Sequence, residues 1–306
     1  MTNPVLTIFT TPKPFTDPHI NIIQRNAIRC WQQLGEVEVF IVGDETGCAQ
    51  VADEFGVFHL PHVARSAWGT PLVSDIFRQA QEKAHSPLMF FTNADMLYTP
   101  QVIEAARVLL EKYPQFLLIG QRWDIDLQQL SLLDDAWSSN LEVLVKKSGK
   151  LHLPSGSDYF IFPKGMYAHI PNFAIGRSGW DNWMIYEAHC SKFPLIDGSL
   201  DVLAVHQNHD YRHLPQGKPH YNLEESRCNI GLAGGTSHLF TLLDAEWQVR
   251  KGKLERPRFS WLRLLRRAEL AVQPSETKQG KKVRFIFRKW LARRFRRLRR
   301  RMTGSL

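Results

Sequence analysis

Cysteine is scarce and scattered. Cys30, Cys48, Cys190 and Cys228 form no Cys-x-x-Cys pair. This spacing gives neither a disulfide framework nor a thiolate zinc site, and the four residues read as reduced thiols. No apolar run reaches the roughly 18 residues that a membrane-crossing helix needs, so any membrane contact is expected from the side. The N-terminus has no signal-peptide pattern, which points to a cytoplasmic protein. The sequence also shows no internal repeat.

Acidic residues are missing from residues 281–306, which hold 12 Lys and Arg. This segment accounts for the formal charge of +9: the remainder has 27 basic against 30 acidic residues, a net charge of −3. The basicity belongs to the tail, and a nucleic-acid partner for the fold itself is disfavoured. With 43% hydrophobic and 23% charged residues, the chain has the composition of a folded protein.

Short apolar runs alternate with helical patterns through the first half. Val5–Phe9, Val37–Val42, Val57–Leu60, Leu88–Thr92 and Phe116–Ile119 read as strands. Helices are expected over about His19–Leu34, Cys48–Phe55, from Pro71, and from Pro100 to Tyr113, each with apolar residues on one face. Buried strands separated by helices argue for a mostly parallel sheet covered on both faces. Ligands of such sheets bind beyond the carboxyl ends of the strands. The loops Thr10–Lys13, Gly43–Glu45 and Asn93–Asp95 all follow strands and can therefore meet in one crevice. In the second half, Tyr159–Phe162 and Leu203–Val205 read as strands and Trp180–Lys192 as a helix. A basic, aromatic region begins at Pro257, Gln273–Gly280 is a polar linker, and Lys281–Arg301 is a basic helix.

Four stretches carry candidate chemistry. An apolar strand ending in Asn93-x-Asp95 sets two oxygen-bearing side chains on one side, as a divalent cation shared with phosphates requires; a plain turn explains the same residues. Asp158 follows small residues and precedes an apolar strand, where a carboxylate serves as a base or simply caps a turn. Gly179-Trp180-Asp181-Asn182-Trp183 combines flat apolar rings with an acid, a combination suited to sugar rings, although Asp181 also fits a helix N-cap. His206 and His209, in the run His206–Tyr211, could add nitrogen ligands to an ion held by Asp95. Zinc is the poorer choice there, because no cysteine or third histidine lies at structural spacing.

Together these stretches resemble the GT-A glycosyltransferases. Phe90-Phe-Thr-Asn93-Ala-Asp95 looks like their DxD segment with Asn in the first place, and Gly179–Asn182 is similar to their acidic acceptor motif. Further phrases are similar to a group of bacterial and plant glycosyltransferase-like proteins: Thr11–Phe15, Gly43–Glu45, Gly69–Asp75, Gly156–Phe162, Trp180–Trp183 and His206–Tyr211. The likeness spans about residues 5–248, stops before the basic tail, and implies an α/β, Rossmann-like nucleotide-diphospho-sugar transferase fold with a mostly parallel central sheet. With the basic segments read above, the expected organisation is a transferase domain over 1–248, a basic and aromatic segment with linker over 249–280, and a basic amphipathic helical tail over 281–306.

The resemblance implies a nucleotide-sugar donor, a Mn²⁺ or Mg²⁺ ion, and a glycan or lipid-linked acceptor in cell-surface glycan synthesis. Asp95, His206 and His209 would hold the metal, with the Asn at 93 weakening strict metal dependence. Thr10, Thr11, Asp44, Asp75 and Asn93 would contact the donor, and Arg78 its phosphates. Trp180, Asn182 and Trp183 would bind the acceptor, and Asp181 or Asp158 would act as base. A sugar-nucleotide nucleotidyltransferase is the alternative, although the loop after the first strand is Thr-Thr-Pro-Lys-Pro and not Gly-rich. A further alternative is a non-catalytic protein that binds membrane or nucleic acid through its tail. In the tail, Val283, Phe287, Leu291, Phe295 and Leu298 recur at helical spacing among arginines, as in helices that lie on anionic membranes. The expected location is thus the cytoplasm, with the tail allowing peripheral contact at the inner membrane face.

Overall fold

A computed structural model of the chain describes residues 3–127, 136–155, 157–209, 223–272 and 282–303. Asp210, Tyr211 and the linker 273–280 lie outside the described residues, as does the side chain of Val283. The first half runs β1 (Leu6–Thr10), α1 (Pro18–Gln32), β2 (Val37–Val42), α2 (Cys48–Phe55), β3 (Phe58–Leu60), α3 (Val73–Lys83), β4 (Leu88–Thr92), β5 (Met96–Tyr98) and α4 (Gln101–Lys112). Then come β6 (Leu117–Ile119), β7 (Arg122–Ile125), α5 (Trp137–Ser148), β8 (Lys150–Leu151), β9 (Tyr159–Pro163) and α6 (Trp180–Cys190). The last elements are β10 (Leu195–Asp197), β11 (Ala204–Gln207), α7 (Glu224–Leu232), β12 (Trp247–Arg250), β13 (Lys253–Glu255), α8 (Trp261–Val272) and α9 (Lys282–Thr303).

The main sheet has the order β13-β12-β10-β6-β9-β4-β1-β2-β3. It is mostly parallel, as expected, with β9 antiparallel to both β4 and β6, and β13 antiparallel to β12. Alternation along each strand divides the core between the two faces. Leu6, Ile8, Leu88 and Phe90 pack with Ile28 and Trp31 of α1 and with Ala106 of α4. Phe9, Met89 and Phe91 turn to the other face, against Phe77 of α3 and Trp180 and Met184 of α6. On that face Phe9 meets Phe77 edge-on at 4.9 Å between ring centroids, and Phe77 stacks on Phe162 at 5.8 Å. Such pairs add about 0.5–1.5 kcal/mol each to the gain from burial.

Local signals set the element ends. The Asp17 carboxylate caps α1 by accepting from the amides of His19 and Ile20, and Pro18 occupies the first turn, where no amide donor is needed. The Trp31 indole of α1 donates to the Met96 carbonyl at 2.9 Å and anchors β5 against the helix. Helix α6 begins at Trp180, and its N-cap is Gly179 at φ +107°, not Asp181. This left-handed backbone favours glycine through its angle and not through lack of space, since a Cβ there would meet Ile230 only at an ordinary contact distance of 3.4 Å.

A second sheet, β5-β11-β7-β8, covers one end of the first. Its strands β5, β7 and β8 were not legible as strands in the sequence. The sheet boundary also differs from the expected limit at residue 248, which falls inside β12; β13 then continues the main sheet to Glu255. The basic, aromatic region after Pro257 forms α8, whose Arg263 reaches Asp197 at the end of β10 at 3.0 Å. Helix α9 folds back antiparallel along α8, with Arg288 near Ala271 and Arg299 near Glu269. Among the described residues, no helix is long and apolar enough to cross a membrane.

Candidate active site

Two register relationships assemble the site. In the small sheet, His206 is the partner of Met96 on one side and of Asp124 on the other. Asp95 immediately precedes Met96, so pairing alone brings an acid from each flank to one histidine. In the main sheet, Thr92 pairs with Tyr159, and the Asn93 amide continues the ladder by donating to the Asp158 carbonyl at 3.0 Å. The loop after β4 and the loop before β9 thus share one edge. The cleft above them has a volume of about 530 Å³, and its walls include Thr11, Lys13, Asn93, Asp95, Arg122, Asp158, His206 and His209.

Asp95, His206 and His209 bring one ligand atom each within 4.8 Å of one another. His209 Nε2 lies 3.1 Å from Asp95 Oδ2, and His206 Nε2 lies 3.7 Å from the same oxygen. The other Asp95 oxygen is buried and has no hydrogen-bond partner among the described residues. Burial pushes the Asp95 carboxyl up, but the His209 hydrogen bond and the charges of His206, His209 and Lys13 outweigh it and hold the group well below the usual range. Behind His206, Asp124 Oδ1 lies 3.2 Å from Nδ1 and leaves Nε2 on the Asp95 side. A carboxylate behind a histidine is how proteins orient imidazole ligands. Two imidazoles, one carboxylate and a buried oxygen to spare fit a divalent cation. Nitrogen donors suit Mn²⁺ better than Mg²⁺, and Zn²⁺ and Fe²⁺ also accept this set.

Arg122 ties this cluster to the opposite wall. Its Nε donates to Asp124 at 2.8 Å and its Nη1 to Asp158 at 2.5 Å. Asp158 also accepts from the Asn93 side-chain amide at 2.9 Å, which uses one of that amide's two donors on the wall itself. Lys13 Nζ lies 3.4 Å from His209 Nε2. Burial lowers the pKa of this lysine against the pull of Asp95 and Asp17. Asp181, half-buried beside Asp158, is pushed up to about 6, first by burial and then by repulsion from Asp158.

The remaining expected residues divide into two groups. Thr11 lines the cleft, whereas Thr10 is buried below it. Asp44 pairs with Arg65 at the surface, and Asp75 accepts from the Ala64 amide and Arg78, which also pairs with Glu82; these acids line a separate depression. The tryptophans do not form an acceptor platform. Trp180 is buried against Phe77, Phe91 and Phe160, and Trp183 against Phe173. The Asn182 amide is committed to the carbonyls of Ser155 and Phe240. Lys13, Arg122 and Asp124 were not singled out in the sequence, because their roles depend on pairings between distant strands.

No protein-family model and no curated protein matches the chain. Among solved structures it is similar to residues 1–349 of S. aureus TarS (10% identity, 67% of this chain, 58% of the other, TM-score 0.40). It is similar also to the mannosyltransferase PcManGT from Pyrobaculum calidifontis, solved with GDP-Man and Mn²⁺ (10% identity, 67% of this chain, 57% of the other, TM-score 0.42). A third is glucosyl-3-phosphoglycerate synthase from Mycobacterium tuberculosis (12% identity, 84% of this chain, 88% of the other, TM-score 0.47). The chain thus spans less than three fifths of the length of the first two.

Proposed function

We propose that the protein is a GT-A glycosyltransferase that binds a nucleotide sugar with Mn²⁺ or Mg²⁺ and transfers the sugar to an acceptor hydroxyl. The observation that carries this reading is the Asp95–His206–His209 cluster, braced by Asp124, in a cleft beyond the carboxyl ends of β1 and β4. A divalent ion there would neutralise charge on the departing diphosphate. Thr11 and Lys13 lie where they can hold the donor's phosphates beside that cluster. Arg122 is paired with Asp158 on the facing wall.

Asp181 is assigned as the base that takes the acceptor's proton. Its pKa near 6 suits a group that takes and returns a proton, and the neighbouring Asp158 is tied into an ion pair with Arg122. The acceptor is a glycan or a lipid-linked sugar at an anionic membrane surface, in cell-surface glycan synthesis. The hydroxyl-binding groups come from the cleft wall and not from Trp180 or Trp183.

A panel of UDP- and GDP-sugars, assayed with Mn²⁺, Mg²⁺ and Zn²⁺, tests the reading. Transfer or slow donor hydrolysis that disappears in Asp95→Ala is the expected result. Pyrophosphate release from a nucleoside triphosphate and a sugar phosphate would instead identify a nucleotidyltransferase. Absence of turnover with every donor and ion would overturn the enzyme reading.

A further inference from the structure

Helix α9 is held against α8 by an ionic lock that uses only one of its faces. Glu269 of α8 is fully buried and accepts from Arg296 at 2.7 Å and from Arg299 at 3.2 Å. Arg266, also buried, lies 3.4 Å from Glu269 and reaches Asp244 at 2.8 Å, which ties the helix pair to the body. Ala292 is buried on the same side of α9, and Leu291 and Phe295 are half-buried. The apolar spacing alone grouped Leu291 and Phe295 with Phe287 and Leu298 as one membrane-facing stripe; docking divides that group.

The opposite side of α9 keeps an aromatic and basic surface. Phe287 is 58% exposed, Trp290 51% and Leu298 47%. The rings of Phe287 and Trp290 stack at 6.0 Å, and Arg294 lies over Trp290 at 5.4 Å. Arg297 and Arg301 are exposed on the same side. Residues 281–306 contain no acid, so nothing in this segment neutralises these charges.

We infer that the α8–α9 hairpin seats on an anionic lipid surface through Phe287, Trp290, Arg294, Arg297, Leu298 and Arg301, while the Glu269 lock keeps the inner face on the protein. This specifies the membrane contact of the proposed function and rests on that part of it; it holds whether or not the cleft transfers sugar. Aromatic and aliphatic side chains interleaved with arginines match the boundary between lipid headgroups and acyl chains. RNA would use the arginines and the rings but leave Leu298 without a partner.

The test is cosedimentation of the full chain with vesicles of equal parts phosphatidylglycerol and phosphatidylcholine. Binding to these vesicles and not to phosphatidylcholine alone is expected. The double variant Phe287→Ala/Trp290→Ala should lower partitioning about tenfold or more. Arg294→Gln and Arg297→Gln should each cost roughly fivefold. Phe295→Ala, on the inner face, should lower heat stability and leave vesicle binding in place. Equal loss of binding with Phe295→Ala, undiminished binding of the Phe287/Trp290 variant, or binding to single-stranded RNA without binding to vesicles would each overturn the inference. Donor turnover with a soluble acceptor, measured on the same variants, should stay intact, which separates this outcome from failure of the cleft.

Discussion

His206 is gripped from behind by Asp124, with Nδ1 at 3.2 Å from a carboxylate oxygen and Nε2 facing Asp95. Asp124 is itself fixed by Arg122 at 2.8 Å and by His152 at 2.8 Å. A ligand oriented in this way loses little freedom when it binds an ion. Asp124→Ala is expected to weaken Mn²⁺ binding about 10–100-fold, measured as free Mn²⁺ by electron paramagnetic resonance. Unchanged affinity would remove Asp124 from this role.

Metal binding should also register as stability. An ion that binds only the folded chain at about 100 times its dissociation constant adds about 2.7 kcal/mol, or a few degrees in Tm. That rise with added Mn²⁺ is expected in the natural chain and absent in Asp95→Asn, read by calorimetry. An equal rise in the variant would place the ion elsewhere.

The Asp181 carboxyl makes a signed prediction about pH. Its pKa near 6 lies above the ordinary value of 3.8, so between about pH 4 and pH 6 the folded chain keeps a proton that the unfolded chain releases. This contribution is present at acid pH and is lost as pH rises through 6. Asp181→Asn should therefore gain about 1–3 kcal/mol relative to the natural chain between pH 4 and pH 7. Denaturant melts at both pH values measure the gap, and a gap that stays constant would contradict the raised pKa.

Trp180 separates a core role from an acceptor role. Buried among three phenylalanines, it should cost about 3–5 kcal/mol when cut to alanine. Trp180→Phe should recover most of that stability and leave the acceptor KM unchanged. A raised KM with normal stability would return Trp180 to the acceptor site.

Removing Glu269 would leave Arg266, Arg296 and Arg299 facing one another around a buried gap. Glu269→Ala is expected to destabilise the α8–α9 pair by about 3 kcal/mol. Trypsin should then cut within α9 well before the body of the chain. Equal resistance to cleavage would show that the lock is not what holds the helix.

The parallel sheet was legible because β1, β2 and β4 are short, mostly apolar and β-branched or aromatic runs set between helical patterns, as strands covered on both faces require. The acid of the cluster was legible for a related reason: Asp95 lies in the short loop that ends such a run. Asp124 was not, since Arg122-Trp-Asp-Ile125 mixes charge and bulk in a half-buried strand whose meaning comes from its partner β11. The burial of Trp180 and Trp183 was not legible, because a tryptophan beside an acid looks the same in sequence whether its ring faces a ligand or a core. The tail's helix was evident from its period, but the docked face was not, since the carboxylate that selects it lies on another helix.

The reversed strand β9 has a mechanical consequence. Because it runs against β4, its first residues abut the last residues of β4, and one rung from Asn93 to Asp158 closes the seam between them. The floor of the cleft is therefore stitched and cannot hinge apart without breaking the central sheet. At the rim, Thr70 and Arg177 line the cleft from two loops that are clasped together by Glu225, which accepts from Thr70 at 3.0 Å and from Arg177 at 2.6 Å, so the two loops would shift only as one unit.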